Sequence, residues 1–217
     1  MKYLVCLGLA LQLAGQVAQK ANERYQSTEH RKGMIGTLTD PSRDARQKPR
    51  ELVAELGIKP GMTVVDLGTG PGYMLPYLSE AVGPQGRVIG EDIFPDFLDK
   101  AKERTANLKN VTFVLGSAKD TKLAEKSADL VLVLDVYHHL DYPGETLGQL
   151  RRALKPGGRL AIVEYHKNDV AMNGNAKEHV RLGEAEAIAE IEANGFRLLS
   201  KKDFVPQIQW LGLFEAK

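Results

Sequence analysis

A chain of 217 residues, 43% hydrophobic and 26% charged, is long enough to bury the core of one α/β domain. Its formal net charge of +1 gives no electrostatic case for nucleic acid, and its single cysteine excludes a disulfide scaffold. Without internal repeats or low-complexity tracts, it reads as one domain behind a leader.

Residues 1–18 carry that leader. Lys2 supplies a positive charge, and Tyr3 to Ala14 is apolar except at Gln12. A run of about twelve residues is too short to span a bilayer but fits the h-region of a signal peptide. Export to the periplasm or medium is therefore expected; the alternative is an uncleaved apolar helix, touching a membrane only through that leader, on a cytoplasmic protein. Cleavage would follow Gly15 or Ala18, although the −3 residues, Leu13 and Gln16, are not small. Cys6 lies too near the N-terminus to be a lipoprotein attachment site.

Residues 19–50 are polar and charged, with too few apolar side chains (Met34, Ile35, Leu38) for a core of their own. They form either a surface-hugging extension or a cap over a pocket. The remaining domain, 51–217, opens with Leu52, Val53 and Leu56 at helical spacing, a helix ended by Gly57-Ile58-Lys59-Pro60-Gly61.

Val64-Val65-Asp66-Leu67-Gly68-Thr69-Gly70-Pro71-Gly72-Tyr73 follows: a β-branched strand, an acid, and three glycines at alternate positions before a helical run to Val82. Such glycines let the backbone turn sharply and let a ligand approach closer than a Cβ would allow. Arg87 to Ile93 reads as a second strand ending in acid, about twenty residues on, where a doubly wound sheet grips ribose hydroxyls. Together these point to a nucleoside; the bland alternative is a glycine-rich turn in some other α/β protein. A dinucleotide fingerprint, G-x-G-x-x-G, fails at its third glycine, where Tyr73 stands. Asp66 beside the first glycine would also repel a phosphate, and suits a cation or a hydroxyl better.

Strand and helix then alternate as a parallel sheet requires. Helices are expected over 95–108, 145–154 and 184–193, and strands over 111–115, 130–134 and 159–163. The continuous apolar run Leu130-Val131-Leu132-Val133-Leu134 marks a central strand covered on both faces. Two last strands, 196–204 and 208–214, have no helix between them and should pair antiparallel.

With Asp66-Leu67-Gly68-Thr69-Gly70-Pro71-Gly72, Gly90-Glu91-Asp92-Ile93 and Leu150-Arg151-Arg152-Ala153-Leu154-Lys155-Pro156-Gly157-Gly158, the chain resembles class I S-adenosylmethionine-dependent methyltransferases from about Pro49 to Lys217. It is similar to the branch that includes quinone-biosynthesis and arsenite methyltransferases. The resemblance implies a doubly wound, seven-stranded, mostly parallel Rossmann-like sheet with its last strand antiparallel. It implies S-adenosylmethionine as cofactor, held by Asp66, Gly68, Thr69, Gly70 and Gly72, by Asp92 and Ile93 at the ribose, by Ser117 and Ala118 near the adenine, and by Asp135. One departure is Ser117, which stands where many relatives place an aspartate.

Chemistry in such a sheet gathers at the carboxyl ends of the strands. There the fourth strand delivers Asp135-Val136-Tyr137-His138-His139-Leu140. Methyl transfer from a sulfonium is an in-line displacement that chiefly needs alignment and exclusion of water. A histidine can serve as base where the acceptor must lose a proton. His138, His139 and Tyr137 are the catalytic candidates, with Tyr165 at the acceptor pocket and at most one of the adjacent histidines facing it; the bland reading makes both histidines structural. His179 or Arg181 would recognise an acidic acceptor unless their charged loop is simply solvated. No metal is expected: His166 and His179 are available, but their spacing matches no standard site. The acceptor is a small or medium-sized molecule of unspecified identity; no Asn-Pro-Pro-aromatic tetrad follows the fourth strand. The rivals are a nucleoside-binding module without turnover and a nicotinamide oxidoreductase.

Overall fold

A computed structural model describes residues 17–217, so the leader reading lies outside the described residues up to position 16. The strands β1 (Thr63–Leu67), β2 (Arg87–Asp92), β3 (Val111–Leu115), β4 (Ala128–Leu134), β5 (Leu154–Tyr165), β6 (Phe196–Val205) and β7 (Gln209–Ala216) form one sheet in the order β3-β2-β1-β4-β5-β7-β6. The first five pair in parallel, and β7 runs antiparallel to both β5 and β6. The expected seven-stranded doubly wound fold is the observed one.

β4 shows why its sequence is apolar throughout. Leu130, Leu132 and Leu134 point into one core, with Leu52 and Leu56 of α4 (Pro49–Leu56) and Leu75, Leu78 and Val82 of α5 (Leu75–Val82). Val131 and Val133 point into the other, with Leu147 and Leu150 of α7 (Pro143–Ala153) and Ala187 and Ile191 of α9 (Glu184–Ala193). Alternate side chains of a strand leave opposite faces, so a strand covered on both sides has no polar positions to offer. α6 (Pro95–Arg104) adds Ala101 to the first core and ends short of the expected Leu108. β5 begins at Leu154, where Leu154 pairs with Ala128 ahead of a register shift, earlier than the glycines at 157 and 158 led one to expect.

The polar segment ahead of this domain folds onto it as α1 (Gln19–Asn22), a 3₁₀ turn (Glu23–Tyr25), α2 (Thr28–Thr39) and α3 (Arg43–Gln47). α2 has no apolar stripe; its one buried residue is Arg31. That guanidinium reaches both carboxylate oxygens of Asp96 at 2.9 and 3.1 Å, donates to the Tyr25 carbonyl at 2.6 Å, and lies 4.4 Å from the Phe94 ring centroid. Asp44 of α3 accepts from the hydroxyls of Tyr73 and Tyr77 at 2.7 and 2.6 Å. Polar anchors thus do what apolar burial does elsewhere. Among the described residues no helix is long and apolar enough to cross a membrane.

Candidate active site

Parallel register brings the acids together. Leu67 is opposite both Glu91 and Val133, so the ends of β1, β2 and β4 open on one edge, at the point where the strand order reverses. A cavity of about 340 Å³ lies there, within the range of small-molecule sites. The glycine loop forms its floor, and Asn22, Tyr25 and Arg43 of the N-terminal segment form part of its wall.

The loop's conformation follows from its glycines. Gly68 has φ +69°, and a Cβ on it would stand 2.7 Å from both methyls of Val136. Gly70 has φ +56°, but a Cβ there would project into open space beside the cavity, a cradle that glycine keeps free. The Thr69 hydroxyl donates to Asp66 Oδ2 at 2.6 Å, the Thr69 amide to the Glu91 carbonyl at 2.8 Å, and the Gly70 amide to Asp92 Oδ2 at 2.8 Å. Asp92 Oδ1 accepts from the Phe94 amide at 2.9 Å, so the second acid braces both its own loop and the glycine loop.

Negative charge is concentrated here with little to balance it. Burial pushes the Asp66 carboxyl up to about 7, against the lowering pull of the Thr69 hydroxyl. Burial lifts Asp92 to about 6 despite the amides of Phe94 and Gly70, and Asp135 to about 6 with help from Glu164. Glu91 is raised well above the carboxylate range by burial and by Asp92. Arg43 approaches Asp135 Oδ2 at 3.7 Å while covering the Tyr73 ring, and that buried oxygen has no hydrogen-bond partner.

Of the residues singled out from sequence, Asp66, Gly68, Thr69, Gly70, Asp92, Ile93, Ala118, Asp135 and His139 line the cavity. Gly72 sits behind the loop, facing Ala101. Ser117 is exposed, its hydroxyl tied to the backbone of Asp120, and only its neighbour Ala118 reaches the cavity. Tyr137 requires correction: it is buried in the opposite core and its hydroxyl donates to Glu190 at 2.6 Å, so it does not shape the pocket. Tyr165 is likewise not a cavity residue and packs edge-on to His138. Arg181 is spent on Glu190, at 2.6 and 3.0 Å.

The two adjacent histidines face different surroundings. His139 lines the cavity, and its Nδ1 lies 2.8 Å from Asn22 Oδ1. His138 is buried behind it, Nδ1 2.7 Å from Glu164 Oε2. Burial opposes charge on His138, but Glu164 and Asp135 outweigh it and raise its pKa. Burial, then His138 and His179, hold His139 well below the usual imidazole range, and burial and His138 lower His179 to about 4. Spacing gave no reason to place His179 beside this pair, yet its ring centroid is 4.9 Å from His138 and 5.3 Å from His139. Sequence also missed Asn22, Tyr25 and Arg43, which sit in a segment without periodic signal.

Fold and cavity together define a nucleoside-binding α/β protein of the Rossmann-like methyltransferase architecture. The family profile described as "Methyltransferase domain" matches residues 58–204, and the chain belongs to that family. An S-adenosylmethionine-dependent methyltransferase of Aquifex aeolicus superposes with a TM-score of 0.79 at 32% identity, over 84% of this chain and 96% of the other. An arsenite methyltransferase of Halobacterium salinarum is 37% identical over 48% of this chain and 27% of its own length. A demethylmenaquinone methyltransferase of Staphylococcus aureus is 31% identical over 53% of this chain and 48% of its own. The matched stretches thus span about half or less of those two relatives. S-adenosylmethionine is the cofactor that this family membership implies. The cavity fits it: Gly70 leaves room for close approach, Tyr25 and Phe94 stack with centroids 6.1 Å apart at the wall, and Asp66 and Asp92 line it buried, with Arg43 paired to Asp135 alone of the three.

Proposed function

We propose that the protein transfers the methyl group of S-adenosylmethionine to a small or medium-sized acceptor. The observation that carries this reading is the set of carboxylates around one cavity, Asp66 and Asp92 buried and Asp135 half-buried, with Arg43 beside Asp135 as their one ion-pair partner among the described residues. They suit a ligand with ammonium and sulfonium charges and disfavour the pyrophosphate of a nicotinamide dinucleotide. When bound, S-adenosylmethionine supplies a sulfonium methyl open to in-line displacement. Asp92 accepts the ribose hydroxyls and Asp66 faces the ammonium or steadies the loop. Residues 19–47 act as a cap: Asn22, Tyr25 and Arg43 close the acceptor side and exclude water, which strengthens every charge interaction within. His139 is the imidazole on that wall. Its neutral ring holds a proton on Nδ1, because Asn22 donates through Nδ2 to the His139 carbonyl and so must present Oδ1 to the ring.

Incubation with methyl-labelled cofactor and a small-molecule extract is expected to yield a labelled product. Cofactor binding by calorimetry without labelled product from any extract would favour a binding module without turnover.

We also propose export, with processing after Gly15 and not after Ala18. Ala18 is buried against the domain and the Val17 amide donates to the Asp141 carbonyl at 3.2 Å, so both residues belong to the folded unit. Expression with the native N-terminus in a Gram-negative host should give a periplasmic product whose intact mass starts at Gln16. Full-length chain found only in the cytosol would end this reading.

A further inference from the structure

We propose that His138, His139 and His179 form a binding site for a divalent transition-metal ion of the zinc, cobalt or nickel type, set into the wall of the cavity. One ring nitrogen from each lies within 4.8 Å of those of the other two. The side chains come from separate places: the turn after β4 supplies two, and the short helix α8 (Ala176–His179), between β5 and α9, supplies the third. Nitrogens that share one ion sit closer together than this, so the three rings would draw in on binding.

The outward hydrogen bonds argue for the same reading. Glu164 can only accept when ionised, so His138 donates from Nδ1, at 2.7 Å. Asn22 presents its carbonyl oxygen to His139 Nδ1 at 2.8 Å, its orientation fixed by the bond from Nδ2 to the His139 carbonyl. In both rings Nε2 is therefore the nitrogen with no protein hydrogen-bond partner, the one a metal ion would take. Ligating histidines characteristically give their other N–H to a carboxylate or carbonyl in this way, which fixes the tautomer and the ring plane. His166 is engaged elsewhere, by Asp203 at 2.9 Å and Glu184 at 3.7 Å.

Three imidazoles without a thiolate suit zinc, cobalt, nickel or copper better than magnesium or calcium. Such a set leaves a coordination position open. Because His139 alone of the three lines the cavity, that position borders the acceptor space, where an ion would hold a hydroxyl or thiol and lower its pKa. The ion would also tie the cap, through Asn22, to α8. The site itself does not depend on the methyltransferase reading.

The test uses the full chain without a purification tag, stripped with chelator and free of S-adenosylmethionine. Zinc sulfate is titrated by calorimetry, and cobalt(II) chloride is followed by the visible d–d bands of a four-coordinate site. One ion per chain, micromolar or tighter binding and a raised Tm are expected. His179 is only partly covered, so His179→Ala should fold, as circular dichroism can check, and should lose binding by more than tenfold. Glu164→Gln, a change in a positioning residue, should weaken binding by about 10–100-fold, and His166→Ala should leave it unchanged. Absence of uptake by the wild-type chain, or equal uptake by folded His179→Ala, would overturn the proposal. A negative methyl-transfer assay would not, since these readouts involve neither cofactor nor acceptor.

Discussion

Asp92→Ala is expected to weaken S-adenosylmethionine binding by about 30- to 700-fold. Two hydrogen bonds from ribose hydroxyls to a buried carboxylate contribute roughly 2–4 kcal/mol, and each 1.4 kcal/mol is about tenfold in affinity. The carboxylate also organises the apo site: it accepts from the Gly70 amide at 2.8 Å and the Phe94 amide at 2.9 Å. Removing it leaves both amides unpaired, so the loop should loosen as well. Asp92→Asn keeps one acceptor oxygen and the volume, and should fall between alanine and wild type. Calorimetry on both variants, after circular dichroism shows them folded, decides the matter. Affinity within threefold of wild type in Asp92→Ala would sink the ribose assignment.

Most of the sheet was legible because its signals are local. β3 and α9 begin and end where sequence placed them, since apolar runs bounded by glycine, asparagine and charge leave little choice of boundary. The glycine loop was legible for the same reason: φ values of +69° and +56° at positions 68 and 70 demand the residue type. What escaped notice depends on tertiary partners. α2 is held by Arg31 on Asp96, an ion pair across 65 residues, and no periodicity announces such an anchor. His179 joins His138 and His139 only because the loop after β5 folds back across the end of β4. Tyr137 was misplaced by one step of a turn: Tyr137–His139 is a 3₁₀ helix, whose tight rotation sends Tyr137 into the opposite core while His139 faces the cavity. The Ser117 hydroxyl is likewise engaged by its turn, on the Asp120 backbone.

Asp66→Asn should make the apoprotein more stable and the cofactor complex weaker, and the size of both effects should depend on pH. In the folded chain this carboxyl titrates near 7, against 3.8 as its ordinary value. Between those values the folded state holds more protons than the unfolded one, so stability falls as pH rises. The contribution is complete below about pH 3.8 and lost as pH passes through about 7. Asparagine keeps an oxygen for the Thr69 hydroxyl, now at 2.6 Å from Asp66, without the buried charge. Above pH 7 the variant should therefore gain about 1–3 kcal/mol, equivalent to several degrees in Tm for a chain of this length, and near pH 4 almost nothing. Cofactor affinity should move the other way. It should rise with pH in the wild type as Asp66, Asp92 and Asp135 ionise, and fall at least tenfold at pH 8 in Asp66→Asn. Opposite signs are what separates a carboxylate held ready for a cationic ligand from one that merely supports a turn. Thermal melts of apo and cofactor-saturated protein at pH 4.5, 6 and 8 give both quantities from one set of samples. A lower apo Tm for the variant at pH 8, or a cofactor-induced rise in Tm equal to that of wild type, would show that Asp66 is structural and that the ammonium is held elsewhere.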